Sequence, residues 1–232
     1  MSNRILAIDT SAMAASVALV EDGKLVADYY ICNELTHAET IMPMVENIKL
    51  MTKLDVETID AIAVTSGPGS FTGLRIGVSA AKALALALNI KLIGISTLDV
   101  LAYSVYNTNK IICPIMDARR NQVYTALYTF EDSNLTMLQP HMAVDIHEIL
   151  ELALTYKKDV VFVGDGIDAF KTVILDTLGQ YAHFAPSFLS MQRACVLAHM
   201  AQYAKPQNPD ELVPIYLRKS QAERELEQCK PA

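Results

Sequence analysis

The sequence predicts an α/β protein of two lobes, each built from the same βββαβα unit, and three observations carry the prediction. Two apolar runs of the kind that central strands show end in an acid, Ile5-Leu-Ala-Ile-Asp9 and Lys110-Ile-Ile-Cys-Pro-Ile-Met-Asp117, with an offset of 108 residues (117 − 9). Each is followed by a short turn, an alternating strand and then alternating helix and strand patterns in matching order. A repeated supersecondary unit is a fold-level signal. The third observation is composition: 232 residues, 52% hydrophobic and 19% charged, suffice for a large core without disulfide or metal staples.

The elements follow in order. After the first run, residues 16–20 and 24–30 flank Asp22-Gly23, a type I′ hairpin signal. Residues 37–52 form a helix with Thr36 as N-cap and the apolar stripe Ile41, Met44/Val45, Ile48 and Met51; Pro43 is expected to kink it or delay its start. A buried strand at 61–65 leads through a glycine-rich segment into an alanine-rich helix over 72–88, then a strand at 92–95 and a helix over 98–106. The second half repeats with strands at 110–117 and 122–128, a helix over 145–156, a strand at 160–163, Gly164-Asp-Gly166 and a helix over 169–178. The lobes are expected to span 1–105 and 106–218, with a loop at 207–214 and a charged tail at 219–232. A duplicated unit whose first hairpin strand ends in Asp is the pattern of the actin-like (sugar kinase/Hsp70/actin) fold.

Charge and cysteine usage limit the function classes. A net charge of −7 provides no global attraction for polyphosphate, so any nucleic acid is expected to be met through a partner. Cys32, Cys113, Cys195 and Cys229 form no CxxC pair and read as reduced thiols of a cytoplasmic protein. The N-terminus mimics a signal peptide, but Asp9 interrupts its apolar region. The apolar segment 83–88, bounded by Lys82 and Asn89, reads as too short for a bilayer. No two histidines stand at the i,i+4 spacing of a metal-binding helix face. His37 beside Glu39 reads as capping chemistry, and His141 and His147 as solvated.

The most unusual segment is Ser66-Gly-Pro-Gly-Ser-Phe-Thr-Gly-Leu-Arg-Ile-Gly77, in which Ser66, Gly67, Pro68, Gly69, Ser70, Phe71 and Thr72 form the loop. Glycines between a strand and a helix can cradle an anion, but no Walker A pattern threads through them. The residues alone favour a sharp turn capped by Ser70 or Thr72. Asp9, Thr10 and Ser11 stand where a phosphate-binding turn would carry glycine, and Ala118-Arg119-Arg120 is bulky in the second turn. Both read as degenerate nucleotide positions, in a chain without catalytic or metal-binding residues and without a cofactor of its own. The helix over 72–88 is apolar around most of its circumference, which points to burial on more than one side. A helix–helix protein interface is therefore expected: Met42, Met44 and Met51 supply adaptable contacts, Gly73 and Gly77 allow close approach, and Arg75 and Lys82 rim the contact.

Ile5-Leu-Ala-Ile-Asp-Thr-Ser11, the segment Ser66 to Gly77, Asp117-Ala-Arg-Arg-Asn-Gln-Val-Tyr124 and Pro214-Ile-Tyr-Leu-Arg218 together resemble the TsaB (YeaZ) family across nearly the whole chain. The resemblance implies an actin-like fold and a non-catalytic scaffold that activates a paralogue, TsaD. The complex transfers threonylcarbamoyl to the adenosine beside the anticodon of tRNAs reading A-starting codons. It further implies a homodimer when alone, a heterodimer with TsaD, participation of the ATPase TsaE, ATP used by the complex and a nucleotide near the partner interface. Thr97 and Leu101 align with the two histidines of the paralogue's metal motif, which counters the peptidase label the family has carried. Asn121-Gln122 stands where Gly-Glu is common, a departure that bears on loop shape. The alternative function, a small phosphotransferase or ATPase of the same fold, requires a pair of phosphate loops.

Overall fold

A computed structural model describes residues 3–33 and 35–218; the charged tail expected at 219–232, with Cys229, lies outside the described residues. The first half comprises β1 (Arg4–Asp9), β2 (Ala15–Glu21), β3 (Lys24–Ile31), α1 (His37–Thr52), β4 (Ala61–Gly67), α2 (Phe71–Leu88), β5 (Lys91–Ser96) and α3 (Thr97–Tyr103). The second comprises β6 (Ile111–Asp117), β7 (Gln122–Glu131), β8 (Asn134–Asp145), α4 (Ile146–Leu154), β9 (Val160–Val163), α5 (Gly166–Leu178), β10 (Ala182–Phe184) and α6 (Ala194–Ala201). Their sheets run β3-β2-β1-β4-β5 and β8-β7-β6-β9-β10. Substituting each strand of one by its counterpart gives the other, so the duplicated α/β architecture expected from the sequence is present.

Local chemistry explains the boundaries. Asp22 and Gly23 both adopt positive φ, 48° and 77°, as a type I′ turn demands. Thr36 and Glu39 form a reciprocal capping box at the start of α1, with the Thr36 amide donating to Glu39 Oε2 at 3.0 Å. The helix starts at His37 and continues past Pro43, so the expected delay does not occur. Pro43 sits on the exposed side, where the carbonyl it leaves unbonded can meet water. Ser70 caps α2 by accepting from the Gly73 amide at 3.2 Å, and Asn89 ends it in the left-handed conformation.

Each sheet is covered on both faces, as expected where parallel strands lie at its centre. Along β1, Leu6 and Ile8 point to α1 and α2, whereas Ile5 and Ala7 point to Ala194, Leu197 and Ala198 of α6. Along β6, Cys113 and Ile115 face α4 and α5, whereas Ile112 and Met116 join Leu98 and Leu101 of α3. The last helix of each half therefore covers the other half's sheet. The strands of each sheet come from one side of residue 105, whereas the apolar faces of α3 and α6 find cover across it. At 18 residues α2 is long and apolar enough, by length and composition, to cross a membrane, contrary to the short segment expected. Here Leu74, Val78, Ala81 and Ala85 are buried along it, packed with β4. Cys32, Cys113 and Cys195 are free thiols.

Candidate functional site in the interlobe cleft

The sheets leave a cleft of about 410 Å3 lined by the β1–β2 turn, the start of α1, the β4–α2 loop, the β6–β7 turn and Asp165. In the first lobe Ser11 lines it, and Asp9 and Thr10 stand behind Ser11 in the same turn, with all three residues at most 1% exposed. Asp9 accepts from the amide and hydroxyl of Ser11, both at 3.1 Å. Burial is the main influence on this carboxylate and raises its pKa, with the Ser11 bonds acting in opposition. Ser11 Oγ also accepts from Gln192 Nε2 at 2.9 Å, while the Ser11 carbonyl accepts from the Ser70 amide at 2.7 Å. Thr10 Oγ1 donates to the Gly73 carbonyl at 2.7 Å. The polar groups of Ser11 are thus engaged within the protein, and the turn is fastened to α2.

The glycines of the loop serve this fastening. A Cβ on Gly69 would overlap the Ser11 carbonyl, one on Gly73 the Thr10 carbonyl, and one on Gly77 the Thr10 hydroxyl. This corrects the expectation that Gly73 and Gly77 admit a partner's helix: their open side is filled by their own β1–β2 turn. Met44 is corrected likewise, being 2% exposed in the core beneath α1. Met42 and Met51 are exposed, as is Arg75, and Lys82 is half-buried. Leu50 and Leu86, which the sequence reading passed over, are exposed with them.

A second feature joins the loop to the chain's end. The Ile215 amide donates to the Ser66 carbonyl at 2.6 Å, and Gly67 (φ 109°) leaves room for the Ile215 carbonyl. The Tyr216 ring lies 4.8 Å from that of Phe71, over which the Arg75 guanidinium stacks at 3.9 Å. Arg75 Nε also donates to Tyr216 Oη at 3.2 Å. Arg218 crosses to the second lobe and donates to the Ala118 carbonyl. Two motifs far apart in sequence, 66–75 and 214–218, are therefore one surface.

In the second lobe, Asp117 accepts from the Arg119 amide at 2.7 Å, and the Asp117 amide donates to Asp165 Oδ1 at 3.2 Å. Burial is again the leading influence on Asp165 and raises its pKa. His37 Nε2 lies 2.8 Å from the Ala12 carbonyl, a contact beyond the capping expected at that helix start, where Glu39 makes the cap. Gln192 had no local sequence signal, since it acts on Ser11 from 181 residues away. Thr97 and Leu101 are both buried in the core. Among the described residues no group of three or more His, Cys, Asp or Glu is arranged to hold a metal ion.

Residues 33–226 match the family model TsaD, tRNA N6-adenosine threonylcarbamoyltransferase. The chain is 34% identical over 219 residues to the tRNA threonylcarbamoyladenosine biosynthesis protein TsaB of Bacillus subtilis, covering 94% of this chain and 96% of that one. It is 40% identical over 134 residues to the Escherichia coli protein of that name, 57% of this chain and 58% of the other. Among solved structures, YeaZ from Pseudomonas aeruginosa superposes with a TM-score of 0.76 at 25% identity, over 93% of this chain and 100% of that one. These similarities extend across both lobes; the chain belongs to the TsaB (YeaZ) family.

Proposed function

We propose that this protein takes part in tRNA threonylcarbamoyladenosine biosynthesis as a non-catalytic subunit, activating a TsaD-type threonylcarbamoyltransferase by helix pairing. The near full-length similarity to the Bacillus TsaB supports the pathway. The observation that carries the subunit role is the exposed apolar surface of α1 and α2, where Met42, Leu50, Met51 and Leu86 are all open to solvent. Isolated exposed apolar residues are ordinary, but several on two packed helices suit a contact surface. On α2, Arg75, Lys82 and Leu86 share one outer stripe by helical spacing, opposite the buried Gly73 and Gly77. The same surface serves a homodimer in the free protein. In this reading TsaE joins the complex, ATP is used by the complex with a nucleotide near the partner interface, and the tRNA is bound by the whole assembly.

A phosphotransferase or ATPase role is less well supported, because the groups that would receive phosphate at Ser11 are engaged with Asp9, Gln192 and Ser70. Size-exclusion chromatography with light scattering, with and without the TsaD relative, tests the reading. The parent is expected to associate, and Leu86→Glu is expected to lose association while melting within about 2 °C of the parent, as surface substitutions do. Association that survives both Leu86→Glu and Met51→Glu, or a modification reaction that proceeds equally well without this subunit, overturns it.

A further inference from the structure

A cavity of about 560 Å3 opens between α3, the β7–β8 hairpin and the end of α6, and shares no lining residue with the interlobe cleft. Small-molecule sites fall in this size range. Its wall is aromatic: the Tyr103 ring lies 5.4 Å from Tyr106 and 5.6 Å from His199, which is 5.7 Å from Tyr203. Tyr106 and Tyr203 remain 54% and 80% exposed at the edge of this wall. Among the rings stands one carboxylate, Asp99. Its Oδ1 accepts from Tyr128 Oη at 2.6 Å and lies 2.9 Å from His141 Nε2, which in turn lies 2.8 Å from Tyr128 Oη. His141 is thus drawn into a network rather than solvated as the sequence suggested. Tyr128 is 1% exposed, and burial raises the pKa of its hydroxyl, keeping it a proton donor to Asp99.

The two partners hold the carboxylate in one orientation through Oδ1. The hydrogen bonds that Asp99 accepts among the described residues all fall on that oxygen, which leaves Oδ2 for a ligand. We propose that the cavity binds a small organic cation, with an ammonium or guanidinium group set between the Asp99 carboxylate and the tyrosine faces. Ring faces attract cations, and a charged hydrogen bond to a fixed carboxylate adds direction. The lining contains no lysine or arginine, so a phosphate or carboxylate would meet no permanently charged cation there, with His199 the one basic side chain. A nucleobase suits it less well. The rings meet one another tilted or edge-on instead of forming a parallel slot, and one free carboxylate oxygen cannot pair bidentately with a base edge. The inference does not depend on the proposed function, since no residue of the site lies on α1, α2 or the 214–218 strap.

The chain has ten tyrosines and no tryptophan, and Tyr103, Tyr106, Tyr128 and Tyr203 line the cavity, so tyrosine fluorescence contains a contribution from these rings that binding can change. Titration with choline and with agmatine is expected to saturate at about millimolar concentration or below. The neutral isostere 3,3-dimethylbutan-1-ol is expected to bind about ten-fold more weakly than choline, the loss of one charge-assisted contact. Asp99→Asn should weaken both cations about ten-fold and leave the alcohol unchanged. Tyr106→Ala and Tyr203→Ala, at exposed positions where folding is not at stake, should each weaken the cations several-fold. Absence of cation binding to the parent, equal binding of choline and its isostere, tighter binding of adenosine or guanosine than of either cation, or cation affinity unmoved in the two tyrosine variants overturns the proposal.

Discussion

The β1–β2 and β6–β7 turns occupy equivalent places in the two lobes, and each opens after an aspartate that ends the first strand. They differ in what packs on them. Asp9 is 1% exposed because the β4–α2 loop lies on the turn, with the Ser70 amide and the open sides of Gly69 and Gly73 against the backbone of Thr10 and Ser11. The equivalent loop of the second lobe, Gly164-Asp165-Gly166, packs three to four positions further back, against the Ile115 carbonyl within β6. Asp117 consequently stays half-exposed, and Arg119, Arg120 and Asn121 form an open turn with φ between 57° and 66°. The lesson is that a repeated acid at a strand end does not define a site. Where the next crossover loop seats its glycines decides whether the turn is sealed or open to the cleft.

The largest effect is expected where the seal is made. In Gly73→Ala the new methyl would overlap the Thr10 carbonyl, a backbone atom that cannot rotate away. Overpacking of this kind costs about 3 kcal/mol, offset by about 1 kcal/mol of improved helix propensity. The net of about 2 kcal/mol corresponds to a fall in Tm of roughly 4–8 °C for a chain of this size. In Gly166→Ala the methyl would stand 3.1 Å from the Ile115 carbonyl, a contact that a shift of a few tenths of an ångström relieves. That variant is expected to melt within about 2 °C of the parent. Equal shifts in the two melts would mean that both loops are seated alike.

What the sequence made legible depended on how locally each feature is determined. The β2–β3 hairpin, α1 with its Thr36 cap and β9 were readable because turn residues, caps and periodicity lie within a few positions of each other. The spacing of Gly73 and Gly77 correctly put them on one helix face, yet spacing cannot say which neighbour that face meets, and the neighbour is Thr10, more than sixty residues away. Helix α6 escaped notice because Ala194-Cys-Val-Leu-Ala-His-Met-Ala201 is apolar almost all round, and the sheet it covers belongs to the other half. His141 escaped for the same reason, its partner Asp99 being 42 residues away in the first lobe's last helix.

A middle-sized effect sharpens the contrast through pH. Burial raises the pKa of Asp9 above that of an ordinary carboxylate, so on acidification the folded protein takes up this proton before the unfolded chain does. The unfolded chain binds fewer protons through the window between the ordinary value, about 4, and the raised one, and stability falls as pH rises across it. The difference in unfolding free energy between the parent and Asp9→Asn should therefore move against the parent with rising pH, by at most about 1.4 kcal/mol per pH unit. The asparagine oxygen can still accept from Ser11, so the variant is expected to fold. Denaturant unfolding of both proteins from pH 4 to 7 reads the difference directly, with other titrating groups cancelling. Curves that stay parallel would mean that burial does not raise the pKa of the Asp9 carboxyl.

The smallest effect concerns the strap that bridges the two turns. Ile215 is bonded to the sealed side through the Ser66 carbonyl, and Arg218 to the open side through the Ala118 carbonyl. Between them Tyr216 packs on Phe71 and accepts from Arg75. Because Tyr216 is 41% exposed and its polar contact is at the surface, Tyr216→Ala is expected to cost under about 1 kcal/mol of global stability. Its consequence should be local. Opening of a surface segment has its own free energy, below that of global unfolding, and hydrogen exchange at a protected amide measures it. The Ile215 amide, which the Ser66 carbonyl now holds at 2.6 Å, is expected to exchange several-fold faster in the variant, while amides of β1 and β6 keep the parent's rates. If the β1 amides accelerate equally, the strap is part of the seal over Asp9, and the difference between the two turns arises from the chain's end as well as from the seating of the glycines.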